Sequence, residues 1–164
     1  MKTPRIAKRE SIGQPSFFSG RKQELKDLLA WVELIPKEQA KSRALMATKK
    51  MGKTAILERL YNILFERALD AKPEQALVIP FFFQVGEKKI TERNFGTVFY
   101  FSFITQYLAL KCRKPEWVNE DLSFPELLEI AEEFQLKPIL TDLKRFEWIA
   151  KEEGGNLIWE HAKY

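Results

Sequence analysis

Ala47-Thr48-Lys49-Lys50-Met51-Gly52-Lys53-Thr54 is the stretch whose reading decides the fold. The apolar run Ala44-Leu45-Met46 precedes it and a helical pattern from Ala55 to Leu69 follows, so the order is strand, loop, helix. In that setting the eight residues read as a phosphate-binding loop whose first glycine is replaced by Ala47. A loop wrapping a triphosphate aims backbone N–H groups inward, and the helix behind it adds N–H groups and a positive dipole end. Thr48 and Met51 complete the loop, and Gly52 permits the close approach. Lys53 would place an ammonium between the outer phosphates, where an ion pair at about 4 Å in an effective dielectric of about 20 is worth roughly 4 kcal/mol before desolvation. Thr54 would offer its hydroxyl to a magnesium ion, and Lys49 and Lys50 add positive charge. Ala47 is the departure: if its position needs positive φ, the Cβ costs on the order of 1 kcal/mol.

Upstream, Ser19 or Gly20 starts a helix with Leu25, Leu28, Leu29 and Val32 at helical spacing, stopped by Pro36. Lys37 to Lys41 is a polar loop. Downstream, Ile56, Leu57, Leu60, Ile63 and Leu64 share one side of a helix that ends by Pro73. A second strand, Ala76 to Val85, is nearly all apolar, as a buried parallel strand is, with Pro80 placing it at an edge or a bulge. The fold class expected is therefore α/β, an incomplete parallel sheet built as strand, loop, helix, strand. The C-terminal half is helix-rich. Thr91 or Asn94 caps a helix to about Cys112, against the strand propensity of Val98-Phe99-Tyr100-Phe101. Ser123 and Glu126 form a capping box before Leu127, Leu128, Ile130 and Ala131. Pro138 precedes Ile139, Leu143, Phe146 and Ala150, one buried stripe, with Gly154-Gly155 as a stop. Residues 1–14 read as a basic arm and 15–164 as one domain, with its nucleotide-binding part over 15–90 and its helical part over 91–164.

The composition is that of an ordinary soluble chain: 164 residues, 45% hydrophobic and 30% charged, with 13 phenylalanines. Lys2, Arg5, Lys8 and Arg9 crowd the start, whereas 116–135 is acidic. A basic arm can touch nucleic acid, although a solvated terminus is the plainer reading. Cys112 is the sole cysteine, so no internal disulfide forms and a reducing cytoplasm is expected. Lys111, Arg113 and Lys114 beside it could lower its pKa, but no histidine adjoins it; His161 alone is no metal site. The opening residues predict no cleavable apolar leader. Phe95 to Leu110 is too short and too polar to span a bilayer. Trp117, Trp148 and Trp159 read as core or interface aromatics.

With those residues in view, the N-terminal half resembles the nucleotide-binding domain of AAA-like P-loop ATPases of archaea and bacteria, the group that includes STAND-type signal-transduction and origin-recognition-like proteins. Two segments carry the likeness: Phe18-Ser19-Gly20-Arg21-Lys22-Gln23-Glu24-Leu25 and Met51-Gly52-Lys53-Thr54 with the helix behind it. The resemblance implies that Phe18, Gly20 and Arg21 lie on the base side of ATP or ADP, and that Lys53 and Thr54 take the phosphate and Mg2+ roles. Read alone, the first segment is a helix start with Gly20 near the cap.

The acidic pair that ends a third strand in that group has no counterpart, since Phe83-Gln84-Val85 with Glu87 and Leu157-Ile158-Trp159-Glu160 are poor substitutes. The chain thus reads as the front of such an ATPase, ending before the catalytic strand, able to hold nucleotide without a complete hydrolytic apparatus. The alternative is a non-catalytic helical protein-interaction or DNA-associated protein in which the loop is a relic. Apolar surface left open by missing strands predicts self-association or a protein partner.

Overall fold

The computed structural model describes residues 6–13, 15–48, 50–71, 78–85, 91 and 94–152. Among them five α-helices form: α1 Lys22–Val32, α2 Lys53–Asp70, α3 Phe95–Lys111, α4 Phe124–Glu133 and α5 Lys137–Glu152. The chain falls into two compact units, Met1–Phe82 and Phe83–Tyr164.

In the first unit α1 packs on α2. Helix α2 buries Ile56, Leu60, Tyr61, Phe65 and Leu69, residues one or four positions apart along one stripe. Leu57 falls outside that stripe and is exposed, so the buried side is rotated from the expected one. Tyr61 packs against Phe65 and edge-on against Phe82. Burial pushes the Tyr61 phenol far above its ordinary range, and its oxygen has no hydrogen-bond partner among the described residues. Between α1 and α2, a short 3-10 turn at Ile35–Lys37 leads into an exposed stretch over 41–48.

In the second unit Ile104, Leu108, Phe124, Leu127, Ala131 and Leu143 form the core, drawn from α3, α4 and α5. Tyr100, Phe101, Ile139 and Phe146 pack against it, and Tyr100 stacks on Phe146 with ring centroids 4.9 Å apart. The stripe expected on α5 holds at Leu143, Ile139 and Phe146; the Ala150 side chain lies outside the described residues. Helix α4 begins as expected at a capping box, Ser123 with Glu126. Trp117 meets Phe134 edge-on, whereas Trp148 is largely exposed. Helices α3 and α4 end on left-handed residues, Arg113 at φ 57° and Gln135 at φ 53°. Lys114 N bonds Ala109 O at 2.8 Å and Leu136 N bonds Ala131 O at 2.9 Å, the six-to-one closure of a Schellman motif.

The expected α/β class is overturned. Among the described residues there is no strand, and the sole bridge pairs Glu10 with Gly13 in a turn. Ala44–Met46 is exposed and forms no ladder among the described residues. Residues 78–84 of the second expected strand have no regular structure, and 76–77 lie outside the described residues. The reason is physical: a parallel pair needs both members, and one candidate is three residues long while the other carries Pro80, which cannot donate. A P-loop ATPase domain, AAA-like or STAND-type, requires that parallel sheet. The resemblance read from the sequence is therefore not upheld by the fold, and neither is the reading of Ala47–Thr54 as a phosphate loop leaving a sheet strand. Glu87, Glu160, His161, Trp159 and Gly154-Gly155, and Lys2 and Arg5 of the basic arm, lie outside the described residues.

Candidate functional site

The turn into α2 is made by two left-handed residues, Lys50 at φ 66° and Gly52 at φ 76°. Ala47 is not among the residues with positive φ, so its Cβ adds no strain of that kind. Lys49 lies outside the described residues. Gly52 is the N-cap of α2 and brings no capping side chain. Ile56 N is bonded to Gly52 O at 3.1 Å, and the N–H groups of Lys53, Thr54 and Ala55 ahead of it are the unpaired donors of a helix start. Lys53 turns back: its ammonium donates to the carbonyls of Ala47 and of Thr48, the latter at 2.9 Å. Met51 N closes the same turn on Thr48 O at 3.4 Å. The loop residues Ala47, Thr48, Lys50, Met51 and Gly52 thus share one turn with Lys53 and Thr54.

The residues expected on the base side sit at the start of α1. Gly20 has φ 84°, Arg21 is the N-cap, and Arg21 O accepts from Leu25 N at 3.1 Å. Among the described residues no hydrogen bond or ring contact joins Phe18, Gly20 or Arg21 to Ala47–Thr54. Nor does any group of three or more His, Cys, Asp or Glu among them stand ready for a metal ion beside Thr54.

A second constellation escaped the sequence reading. Residues 7–13 are strapped onto α2. Lys8 N donates to Asn62 Oδ1 at 2.8 Å, and Asn62 Nδ2 donates to Lys8 O at 2.8 Å and Glu10 Oε1 at 3.0 Å. Ser11 donates from both its N and its Oγ to Glu58 Oε2, at 2.7 and 2.8 Å. Arg59 pairs with the buried Glu10 carboxylate at 3.2 Å. Ala7, Glu10, Glu58 and Asn62 are all buried, so this part of the basic arm is packed rather than solvated. The available signal was Glu58 and Asn62 four residues apart inside an apolar stripe, where each polar group needs a partner.

The third feature is on α3, which is apolar almost all round. Ile104 and Leu108 face the core, while Phe95, Phe99 and Phe103, each four residues on from the last, are 44%, 40% and 39% exposed. Phe95 stacks on Phe99 at 5.9 Å, Phe103 on Tyr107 at 6.3 Å, and Phe83 meets Phe99 edge-on at 5.2 Å. The result is a row of aromatic rings along one helix face. No helix among the described residues is long and apolar enough to cross a membrane. Comparison with protein-family models, curated proteins and solved structures finds no match.

Proposed function

We propose that the chain is a helical protein-interaction module whose working surface is the α3 face of Phe95, Phe99, Phe103 and Tyr107. One observation carries the reading: a helix apolar over most of its circumference belongs largely in an interior, yet this one leaves three phenylalanines at least 39% exposed in a row. Aromatic rings of this kind supply large contact area and are enriched at the cores of protein interfaces. The partner that fits is another apolar helix face, a second copy being the first to try. Sedimentation velocity of wild type against the pair Phe99→Asp and Phe103→Asp tests it, with a benzoylphenylalanine crosslinker placed at position 103. Concentration-dependent association lost in the double variant is expected. A monomer at every concentration, with no adduct in cells that depends on Phe99, would overturn the reading.

A second reading is a phosphate-bearing ligand, ATP or ADP among them, at the start of α2. It is supported by the uncapped N–H groups behind Gly52 together with the charges of Lys50 and Lys53. A ligand there must draw the Lys53 ammonium away from the Ala47 and Thr48 carbonyls. Titration with a fluorescent ATP analogue, with and without Mg2+, tests it. Lys53→Ala should weaken binding by about 2 to 3 kcal/mol, the scale of a hydrogen bond to a charged group.

A further inference from the structure

The stretch between α1 and α2 is tied at both ends and open in the middle. At its start Trp31 Nε1 donates to Lys41 O at 2.8 Å, and the Arg43 guanidinium lies over the Trp31 ring at 5.9 Å. At its end Lys53 and Met51 hold the Ala47–Thr48 carbonyls. Between the ties every residue from 41 to 48 is exposed. Met46 near the middle is 89% exposed, the highest value of any large apolar side chain described, and Met51 is 51% exposed. From Gln39 to Leu57 the sequence contains no acidic residue. Lys41, Arg43, Lys50 and Lys53 flank the apolar residues, and none of them forms an ion pair among the described residues.

We propose that this tethered loop docks on an anionic lipid surface, with Leu45, Met46 and Met51 entering the interfacial layer and Lys41, Arg43 and Lys50 meeting the headgroup phosphates. The pairing of the two chemistries selects the partner. A nucleic-acid backbone would use the cations and leave the apolar side chains in water, whereas an anionic bilayer uses both. Two-point tethering lowers the entropy lost on docking, because the loop is already restrained at both ends. Such contact is peripheral and needs no spanning helix. It does not depend on either reading above, since the α3 face is not involved and a phosphate ligand gains nothing from Leu45 or Met46.

Co-sedimentation of the full chain with vesicles of phosphatidylcholine alone, and of equal parts phosphatidylcholine and phosphatidylglycerol, tests the proposal. Binding to the mixed vesicles should exceed binding to the neutral ones about tenfold and weaken with salt. Met46→Asp and Lys50→Glu should each lower it about tenfold, with circular dichroism unchanged because both side chains are exposed. Absence of vesicle binding would overturn the proposal. So would Met46→Asp binding as tightly as wild type, and so would a duplex oligonucleotide bound more tightly than the vesicles with no effect of Met46→Asp. That last outcome would assign the loop to a phosphodiester backbone.

Discussion

Ser11 presents its backbone N–H and its hydroxyl to the same oxygen of Glu58, at 2.7 and 2.8 Å, across 47 positions of sequence. One carboxylate oxygen thereby closes the strap on α2, and it does so beside a second buried carboxylate, Glu10, whose charge is met by Arg59. Removing Glu58 leaves both Ser11 donors without their partner on the helix.

Glu58→Ala should therefore destabilise the first unit by about 1.5 to 3 kcal/mol, the scale of hydrogen bonds to a charged group. Asn62→Ala, which deletes three bonds, should cost at least as much. Hydrogen exchange gives the sharper readout, because the Lys8 and Ser11 amides should lose protection in Asn62→Ala and Glu58→Ala respectively. Retained protection at both would show that the strap is held by apolar packing around Ala7 instead.

Arg113 and Gln135 occupy left-handed positions that glycine adopts without a Cβ clash. Replacing either by glycine removes about 1 to 2 kcal/mol of strain and adds about 0.5 to 1 kcal/mol of unfolded-state entropy. The net expectation is a gain of about 0.5 to 1 kcal/mol per site, read from the urea midpoint. Destabilisation at both would mean that their side chains make contacts worth more than the strain.

The Ser123 hydroxyl and amide, in that order, hold the Glu126 carboxyl below its ordinary pKa. A depressed folded-state pKa adds stability above the unfolded value and loses it as pH falls through the folded one. The advantage of wild type over Ser123→Ala should thus be full at neutral pH and shrink in acid. A carbon-13 titration of the Glu126 carboxyl should show its midpoint rising in Ser123→Ala. An unmoved midpoint would remove the capping box from the energetics of α4.

Cys112 has its thiol pushed up by burial first and the Glu133 carboxylate second, against a smaller opposing pull from Lys114. The neighbouring cations do not win, contrary to what the sequence suggested. Iodoacetamide should alkylate Cys112 more slowly at neutral pH than it does free cysteine, and Glu133→Gln should speed the reaction. A rate above that of free cysteine would reverse this ordering.

What could be read from the sequence was what depends on near neighbours. Ser123 and Glu126 are three residues apart, and the box they form is where they placed it. Helix α3 formed in spite of Val98-Phe99-Tyr100-Phe101, because Ile104 and Leu108 continue a buried stripe that a strand of that length could not. The sheet was misread for the opposite reason. Ala44-Leu45-Met46 looks like a strand only if a neighbour supplies its hydrogen bonds, and nothing local in sequence reports on that neighbour. The turn at Gly52-Lys53-Thr54 does start a helix, but the sequence did not show Lys53 reaching back to its own loop. The strap was illegible because its partners, Lys8 with Asn62 and Ser11 with Glu58, are about fifty residues apart and belong to different local patterns.

That separation has a consequence for synthesis. Lys8 and Asn62 lie 54 positions apart. At about 5 to 20 residues per second, the opening segment waits roughly 3 to 10 seconds before its docking site has been translated. During that interval Ala7 and the Glu10 carboxylate lack the helix they pack on, so the nascent chain carries an unsatisfied segment. The emergence of α2 from the ribosome, rather than that of the strap itself, sets the moment at which residues 7–13 become part of a folded body.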